Sequence, residues 1–350
     1  MNRNCNSLIE GPYVASRNVF DNIDSLEPAS TATATIIGVS TFVIAIPTVI
    51  KILRNKIFRT SRFFWLFAHF FVMDVVLFIC NLVCLRVSLQ PFANEFYFWM
   101  NYAGLSTPIG VVYMATMKTS SVGSLCLSLN RCIAVYTSHS NEAKYDNIVF
   151  ALSLALYWTV FGIESAFLTI KRVRFTCWLT TRGIRLFTYT NIANPIDQAW
   201  LAWGNAVLIG SVLGNIALNI AIIARIRKIQ VTGNSFERGI LPATVAIGVG
   251  HAIFGIVQII VQYRSWSDFL LAIAAVAMKL TAITIDLLAV LPFWLLMIFS
   301  SGVRRAVLPS ALSGSSSSSS GGGRSPAPRN FTSTHNAPST TRVVSIGGGR

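Results

Sequence analysis

The sequence predicts an all-α membrane protein, a seven-transmembrane helix bundle with its N-terminus outside and its C-terminus in the cytosol. The 350-residue chain is 53% hydrophobic but only 12% charged, about half the ~25% charged residues of soluble domains. Its apolar residues also fall into seven runs, each long enough to cross ~30 Å of hydrocarbon as a helix. This composition excludes most soluble classes and a chain that is disordered throughout.

The seven runs set the domain boundaries. Residues 1–32 are polar and form the predicted extracellular N-terminus, with no cleavable signal peptide. Residues 33–308 form the predicted seven-transmembrane domain, and residues 309–350 a Gly/Ser-rich cytosolic tail that is predicted to be disordered. The third and seventh runs exceed one perpendicular crossing, so we expect them to tilt or to extend beyond the bilayer. The predicted spans are Thr33–Leu53, Phe63–Leu85, Thr107–Tyr136, Ile148–Ile170, Trp200–Ile223, Ile240–Val261 and Phe269–Phe299.

The orientation follows from the distribution of a net charge of +15. With the N-terminus outside, the inner segments hold 17 basic and 3 acidic residues, and the outer segments hold 9 and 7. Short cytosolic loops carry such an excess of Lys and Arg, although the basic outer loop 171–200 is an exception. The charge therefore indicates contact with inner-leaflet lipids in the plasma membrane and not with nucleic acid. The inner segments are 51–62, 131–146, 224–238 and 300–350.

Two motifs carry a family resemblance. Residues 129–135 read Leu-Asn-Arg-x-x-Ala-Val at the inner end of the third span, and Pro292–Ser301 ends the seventh span ahead of Arg304 and Arg305. The chain resembles nematode serpentine chemoreceptors, which are G-protein-coupled receptors of the class g superfamily, and it is most similar to class v. The resemblance implies a chemosensory receptor, not an enzyme, that binds an extracellular small molecule or peptide and activates a heterotrimeric G protein without a cofactor.

The resemblance also assigns roles to residues. Asn130 and Arg131 would lie over the G-protein cavity, and Pro292 would belong to the activation switch. Glu237, just before the sixth span, would be a resting-state partner of Arg131; the alternative is that it pairs with Arg238 or faces solvent. Other basic residues would meet an acidic G-protein surface, anionic lipid, or both: Arg225, Arg227, Lys228, Arg304 and Arg305.

Ionisable residues inside a bilayer need a partner or a wet cavity. Asp74 is mid-span, where the resemblance suggests a sodium site and the alternative is a hydrogen-bond hub. An interhelical pair such as Lys118 with Asp286 would neutralise both charges; direct ligand contact is the alternative. Glu164 and Lys279 lie near the outer boundary, where they can also reach the interface.

The cysteines favour no metal site, because no CxxC pair is present. An oxidising exterior permits a disulfide between Cys177 and either Cys5 or Cys84. The two histidines within the spans, His69 and His251, are expected to be packed and hydrogen-bonded.

The sequence suggests three rival functions. The chain has no HExxH, GxSxG or P-loop motif of an enzyme. A multi-span transporter or channel would show an internal repeat, which an odd number of spans resists; substrate flux into liposomes would support it. A retinal-binding photoreceptor is suggested by Lys279, although this lysine is not mid-membrane. Visible absorbance with retinal, abolished by Lys279→Ala, would support that reading.

Overall fold

The computed structural model describes residues 28–137, 142–171, 174–179, 185–190, 197–228, 235–262 and 268–307. The predicted N-terminal segment up to residue 27 and the Gly/Ser-rich tail lie outside them. Seven long helices follow the predicted spans to within a few residues at most ends, so the helical prediction is confirmed. They are α1 (Pro28–Arg54), α2 (Arg62–Asn81), α3 (Ser106–Tyr136), α4 (Glu142–Ile170), α5 (Asp197–Lys228), α6 (Ser235–Gln262) and α7 (Asp268–Phe299).

Six of these helices are long and apolar enough to cross a membrane, counted over the described residues. The exception is α3, which has 31 residues but includes eight Ser and Thr. It packs against α2, α4, α5 and α6, so protein rather than lipid surrounds much of its surface. Two of its buried hydroxyls are satisfied within the helix: Thr116 donates to the carbonyl of Val112 at 2.7 Å and Thr119 to that of Ala115 at 2.8 Å.

Two apolar clusters hold the helices together. The first is rich in phenylalanine and joins α1, α2 and α7 through rings such as Phe42, Phe71 and Phe293. The second joins α3, α6 and α7 through Met117, Phe254 and Leu288.

The outer surface of the bundle is apolar, as a lipid-facing surface must be. On α5, four exposed residues recur at helical spacing and form one stripe: Ile209, Leu213, Ile216 and Ile220. A membrane protein therefore places apolar side chains on both the packed and the exposed faces of its helices.

The connections contain elements that hydropathy did not predict. The helix α2 continues through a π-helical turn, Leu82–Arg86, and a short helix Asn94–Tyr102 precedes α3. An antiparallel hairpin pairs β1 (Arg174–Leu179) with β2 (Arg185–Thr190). A seven-residue helix, α8 (Ser301–Val307), follows α7.

The short helix Asn94–Tyr102 is fixed to the bundle and to the hairpin. The ring of Tyr97 lies 4.8 Å from that of Phe175, and its hydroxyl donates to the carbonyl of Val83. Asn101 Nδ2 donates to the carbonyl of Phe175 at 2.9 Å. Burial raises the pKa of the Tyr97 phenol, so it remains a neutral hydrogen-bond donor.

Two glycines of α6, Gly248 and Gly255, permit its close approach to α5. A Cβ atom at Gly248 would lie 2.2 Å from Asn219 Nδ2. We expect Gly248→Ala to destabilise the bundle by about 1–3 kcal/mol, as overpacking does, and to lower the thermal unfolding midpoint of the purified protein. Gly250→Ala is the matched control on the same helix, because its Cβ would meet only Leu288 at an ordinary 3.4 Å. Equal midpoints for the two variants would contradict this prediction.

Candidate functional sites

A chain of polar contacts crosses the centre of the bundle. Asp74 on α2 lies 3.2 Å from Ser120 Oγ on α3, which lies 3.1 Å from His251 Nε2 on α6. These residues border a cavity of about 20 Å³, a volume that can hold one water molecule. Pro292 of α7 and Tyr157 of α4 also line it. The Asp74 carboxyl therefore belongs to a hydrogen-bonded hub that joins three helices.

A second polar cluster joins α3, α4 and α5. Lys118 Nζ lies 2.8 Å from Glu164 Oε1, and the same oxygen accepts a hydrogen bond from Trp200 Nε1 at 2.7 Å. The ammonium groups of Lys118 and Lys171 lie 4.1 and 3.7 Å from the centre of the Trp200 ring, as in cation–π contacts. Gly204 leaves room for Lys118, because a Cβ there would lie 2.3 Å from Nζ. Glu164 is fully buried, so it does not reach the interface.

A third cluster joins the end of α2 to α7. Arg86, in the π-helical turn, forms an ion pair with Asp286, and Asn81 Nδ2 donates to the other carboxylate oxygen at 2.9 Å. The Tyr113 hydroxyl of α3 donates to Asn81 Oδ1 at 3.3 Å. Because Arg86 and Asn81 are almost fully buried, this cluster is an interhelical connection inside the bundle.

The suggested pairing of Lys118 with Asp286 is therefore wrong, because each has another partner. Lys118 faces α4 and α5, whereas Asp286 faces the end of α2. Arg86 lies just beyond the predicted second span, Phe63–Leu85, so the sequence did not indicate it as a partner. Asp286 could have indicated such a partner, because a carboxylate inside the bilayer needs a nearby cation.

The chain's basic end is the end of the bundle where α1, α3, α5 and α7 finish and α2, α4 and α6 begin. Here Asn130 Nδ2 donates to Asp146 Oδ1 at 2.9 Å, while Asp146 Oδ2 accepts the backbone N–H of Arg62 at 3.1 Å. Asp146 thus ties α3 and α4 to the first N–H of α2, one of the groups that a helix leaves unpaired. Sequence reasoning missed Asp146.

Arg131 is directed toward α2. Its guanidinium carbon lies 4.0 Å from the centre of the Phe63 ring, and a guanidinium N–H donates to Asn130 Oδ1 at 3.0 Å. The neighbouring residues Asn130 and Arg131 are thus linked to each other and to α2 and α4. The side chain of Glu237 lies outside the described residues, so its pairing with Arg131 stays a prediction.

The other basic residues of this end are partly described. Arg225 lies over the Tyr136 ring at 5.3 Å, and Arg304 donates to the carbonyl of Met297 at 2.9 Å and to that of Ile298. Arg305 is exposed. The side chains of Arg227, Lys228 and Lys279 lie outside the described residues.

Of the two candidate partners of Cys177, Cys84 does not form the predicted disulfide. The thiol of Cys84 is free and buried. Cys5 and the side chain of Cys177 lie outside the described residues, so a bond between those two stays a prediction. Among the described residues, no group of three or more His, Cys, Asp or Glu could hold a metal ion.

Comparison with protein-family models gives a match. The sequence model of the Srg family, described as Srg family chemoreceptor, covers residues 32–307 and so includes the seven helices except for the first four residues of α1. No curated protein matches the chain. The similarity to class v in particular stays a prediction. The match spans well over half of the chain and agrees with its helical, multi-pass architecture, and the chain belongs to the Srg chemoreceptor family.

Proposed function

We propose that this chemoreceptor is a plasma-membrane protein that binds an extracellular small molecule or peptide and activates a heterotrimeric G protein. The observation that carries the proposal is the Srg match over the whole bundle, together with Asn130-Arg131 at its basic end. The basic end is cytosolic in this proposal, because Lys and Arg concentrate on the inner side of membrane proteins. The N-terminus is then outside.

The ligand is proposed to bind in the half opposite the basic end. The connections there hold the hairpin and the short helix Asn94–Tyr102, and two charged clusters join helices just beneath. Lys118 and Asp286 are each paired with an opposite charge inside the protein, which favours a structural role for both. A ligand that binds one arrangement of these helices more tightly shifts the population toward it.

At the basic end, Arg131 is proposed to exchange its contact with Phe63 for the G protein. The present contacts hold the guanidinium 4.0 Å from the Phe63 ring centre, against α2. Coupling would require the side chain to turn away from α2 toward the centre of the basic end. Other basic residues at this end of the bundle, Arg225 and Arg304, add positive charge that would suit an acidic protein surface or anionic lipid.

We expect Arg131→Ala to reduce ligand-driven nucleotide exchange by at least about tenfold, equivalent to about 1.4 kcal/mol. The ligand for this assay is the first compound that raises calcium or lowers cAMP when odorant and peptide libraries are screened on cells expressing the chain. The amount of receptor at the cell surface is measured in parallel, so that loss of coupling is separated from loss of folding.

Two matched variants sharpen this experiment. Arg59→Ala removes an exposed arginine from the same end of the bundle and is expected to couple normally. Phe63→Leu removes the ring beneath Arg131 and is expected to raise nucleotide exchange without ligand. Normal coupling by Arg131→Ala would refute the role given to this residue.

A further inference from the structure

We propose that Asp74, Ser120 and His251 together bind one exchangeable proton, which is shared along the contacts that join α2, α3 and α6. All three residues are buried, with exposed fractions of 8% or less. The proposal concerns the centre of the bundle and does not depend on the identity of the ligand or of the G protein.

The geometry consists of three consecutive contacts of hydrogen-bond length. His251 Nδ1 lies 3.0 Å from the carbonyl oxygen of Ile247, and His251 Nε2 lies 3.1 Å from Ser120 Oγ. Ser120 Oγ lies 3.2 Å from Asp74 Oδ1. Each of these contacts joins two atoms that can carry a lone pair, so each needs one hydrogen atom between them.

The residues in their ordinary charge states supply too few hydrogens. A neutral imidazole has one N–H, a serine has one O–H, and an ionised carboxylate has none. Three contacts would then share two hydrogens, and one contact would bring two lone pairs together at about 3 Å. A contact of this kind inside a low-dielectric interior is costly.

One added proton completes the chain in either of two arrangements. With the proton on Asp74, the carboxyl donates to Ser120, whose hydroxyl donates to His251 Nε2, and Nδ1–H donates to Ile247. With the proton on His251, both ring nitrogens donate, and the Ser120 hydroxyl donates to the Asp74 carboxylate. The three side chains carry no net charge in either arrangement, which lowers the cost of placing them in the bilayer.

The surroundings offer no other counter-charge among the described residues. The cavity beside Asp74 is lined from α4 by Tyr157, from α3 by Ser124, from α6 by Ile247 and from α7 by Pro292. Tyr157 is the other titratable group on this lining, and its hydroxyl lies 3.2 Å from Thr119 Oγ. No Lys or Arg lines the cavity, so a proton is the positive charge that this site takes.

The proton couples three helices. If it leaves, one of the three contacts loses its hydrogen: α3 loses its link to Asp74 of α2 or to His251 of α6, or His251 loses its contact with Ile247 within α6. The stability that the shared proton contributes is present at low pH and is lost as the pH rises.

The test measures the proton directly in the full chain, purified into lipid nanodiscs at neutral pH. Infrared spectroscopy detects the carbonyl stretch of a protonated carboxyl group, assigned by its loss in Asp74→Asn. NMR of protein labelled with ¹⁵N-histidine detects an imidazolium, assigned by its loss in His251→Gln. We expect the wild type to show at least one of the two signals. Absence of both overturns the proposal.

Asp74→Asn is also the matched variant for the hydrogen count. An amide N–H donates to Ser120 in place of the proton, so the three contacts are complete without it. We expect a neutral His251 in this variant. In the wild type, the thermal unfolding midpoint should fall at the pH where the carboxyl or imidazolium signal disappears. In Asp74→Asn it should not fall at that pH. An equal fall of the midpoint in both proteins overturns the proposal. The proposal is also overturned if the wild type shows the signals only when sodium in the buffer is replaced by a large organic cation, because the site would then hold sodium.

Discussion

Glu164→Ala is expected to destabilise the receptor by about 3–5 kcal/mol, the cost of removing one partner of a buried ion pair. The carboxylate is fully buried, forms an ion pair with Lys118 and accepts a hydrogen bond from Trp200. Its removal leaves an ammonium group and an indole N–H inside the bundle without their acceptor. The measurement is the thermal unfolding midpoint of the purified protein, supported by the amount of receptor at the cell surface.

A double variant separates the charge from the packing. Glu164→Leu combined with Lys118→Met replaces both charges by apolar side chains, and we expect it to recover much of the stability, as such replacements do elsewhere. Glu95→Ala provides the control, because Glu95 is exposed on the short helix Asn94–Tyr102. If Glu164→Ala unfolds at the same temperature as Glu95→Ala, the ion pair has no stabilising role.

Asp286→Ala is expected to lower the free energy of unfolding by a similar amount, about 3–5 kcal/mol. Arg86, with a side chain only 3% exposed, would lose the carboxylate that it pairs with, and Asn81 would lose an acceptor on α7. The prediction is checked by the same unfolding midpoint and by limited proteolysis of the connection between α2 and α3.

The reversed pair tests whether charge complementarity carries this effect. Arg86→Asp combined with Asp286→Arg is expected to be more stable than either single variant, because it restores opposite charges across α2 and α7. Arg59→Ala is the control for loss of an exposed arginine. A reversed pair that is less stable than both single variants would show that the geometry of Arg86 matters more than its charge.

Hydropathy was sufficient to predict the helices because six of them carry a long apolar run and α3 carries a longer run that is interrupted by Ser and Thr. It predicted their ends less well where the chain continues in other conformations. The π-helical turn Leu82–Arg86 lengthens α2 and carries an arginine into the bundle. Each strand of the hairpin has six residues and the short helix Asn94–Tyr102 has nine, far fewer than the about 20 apolar residues by which hydropathy identifies a span.

The pairing of charges could not be predicted because it depends on the rotation of each helix about its axis. Tyr113 and Lys118 are five residues apart on α3, which corresponds to a turn of about 500°, so they point about 140° apart. Tyr113 faces Asn81 and therefore the cluster of Asp286. Lys118 must then face elsewhere, toward Glu164. The sequence gives the residues of each face but not the neighbour that the face meets.

The sequence predicted two of the three residues of the hydrogen-bonded hub at Asp74 as polar or hydrogen-bonded groups within the bundle. The mid-span aspartate indicated a polar centre, and His251 was expected to be packed and hydrogen-bonded. The link between them is Ser120, one of eight Ser and Thr on α3. Nothing in the sequence distinguishes Ser120 from the other hydroxyls of that helix, because its role depends on the register of three helices at one depth.

The polar composition of α3 also bears on how the chain enters the membrane during synthesis. A lysine near the centre of an inserting helix costs about 2.5–3.5 kcal/mol, and α3 has both Lys118 and eight Ser and Thr among its 31 residues. We therefore expect α3 to be inserted poorly when it is synthesised alone. Its acceptor for Lys118 lies on α4, which leaves the translocon only after α3 has passed. Stable insertion of the third helix is thus expected to await the fourth, so truncation between them should leave α3 outside the bilayer.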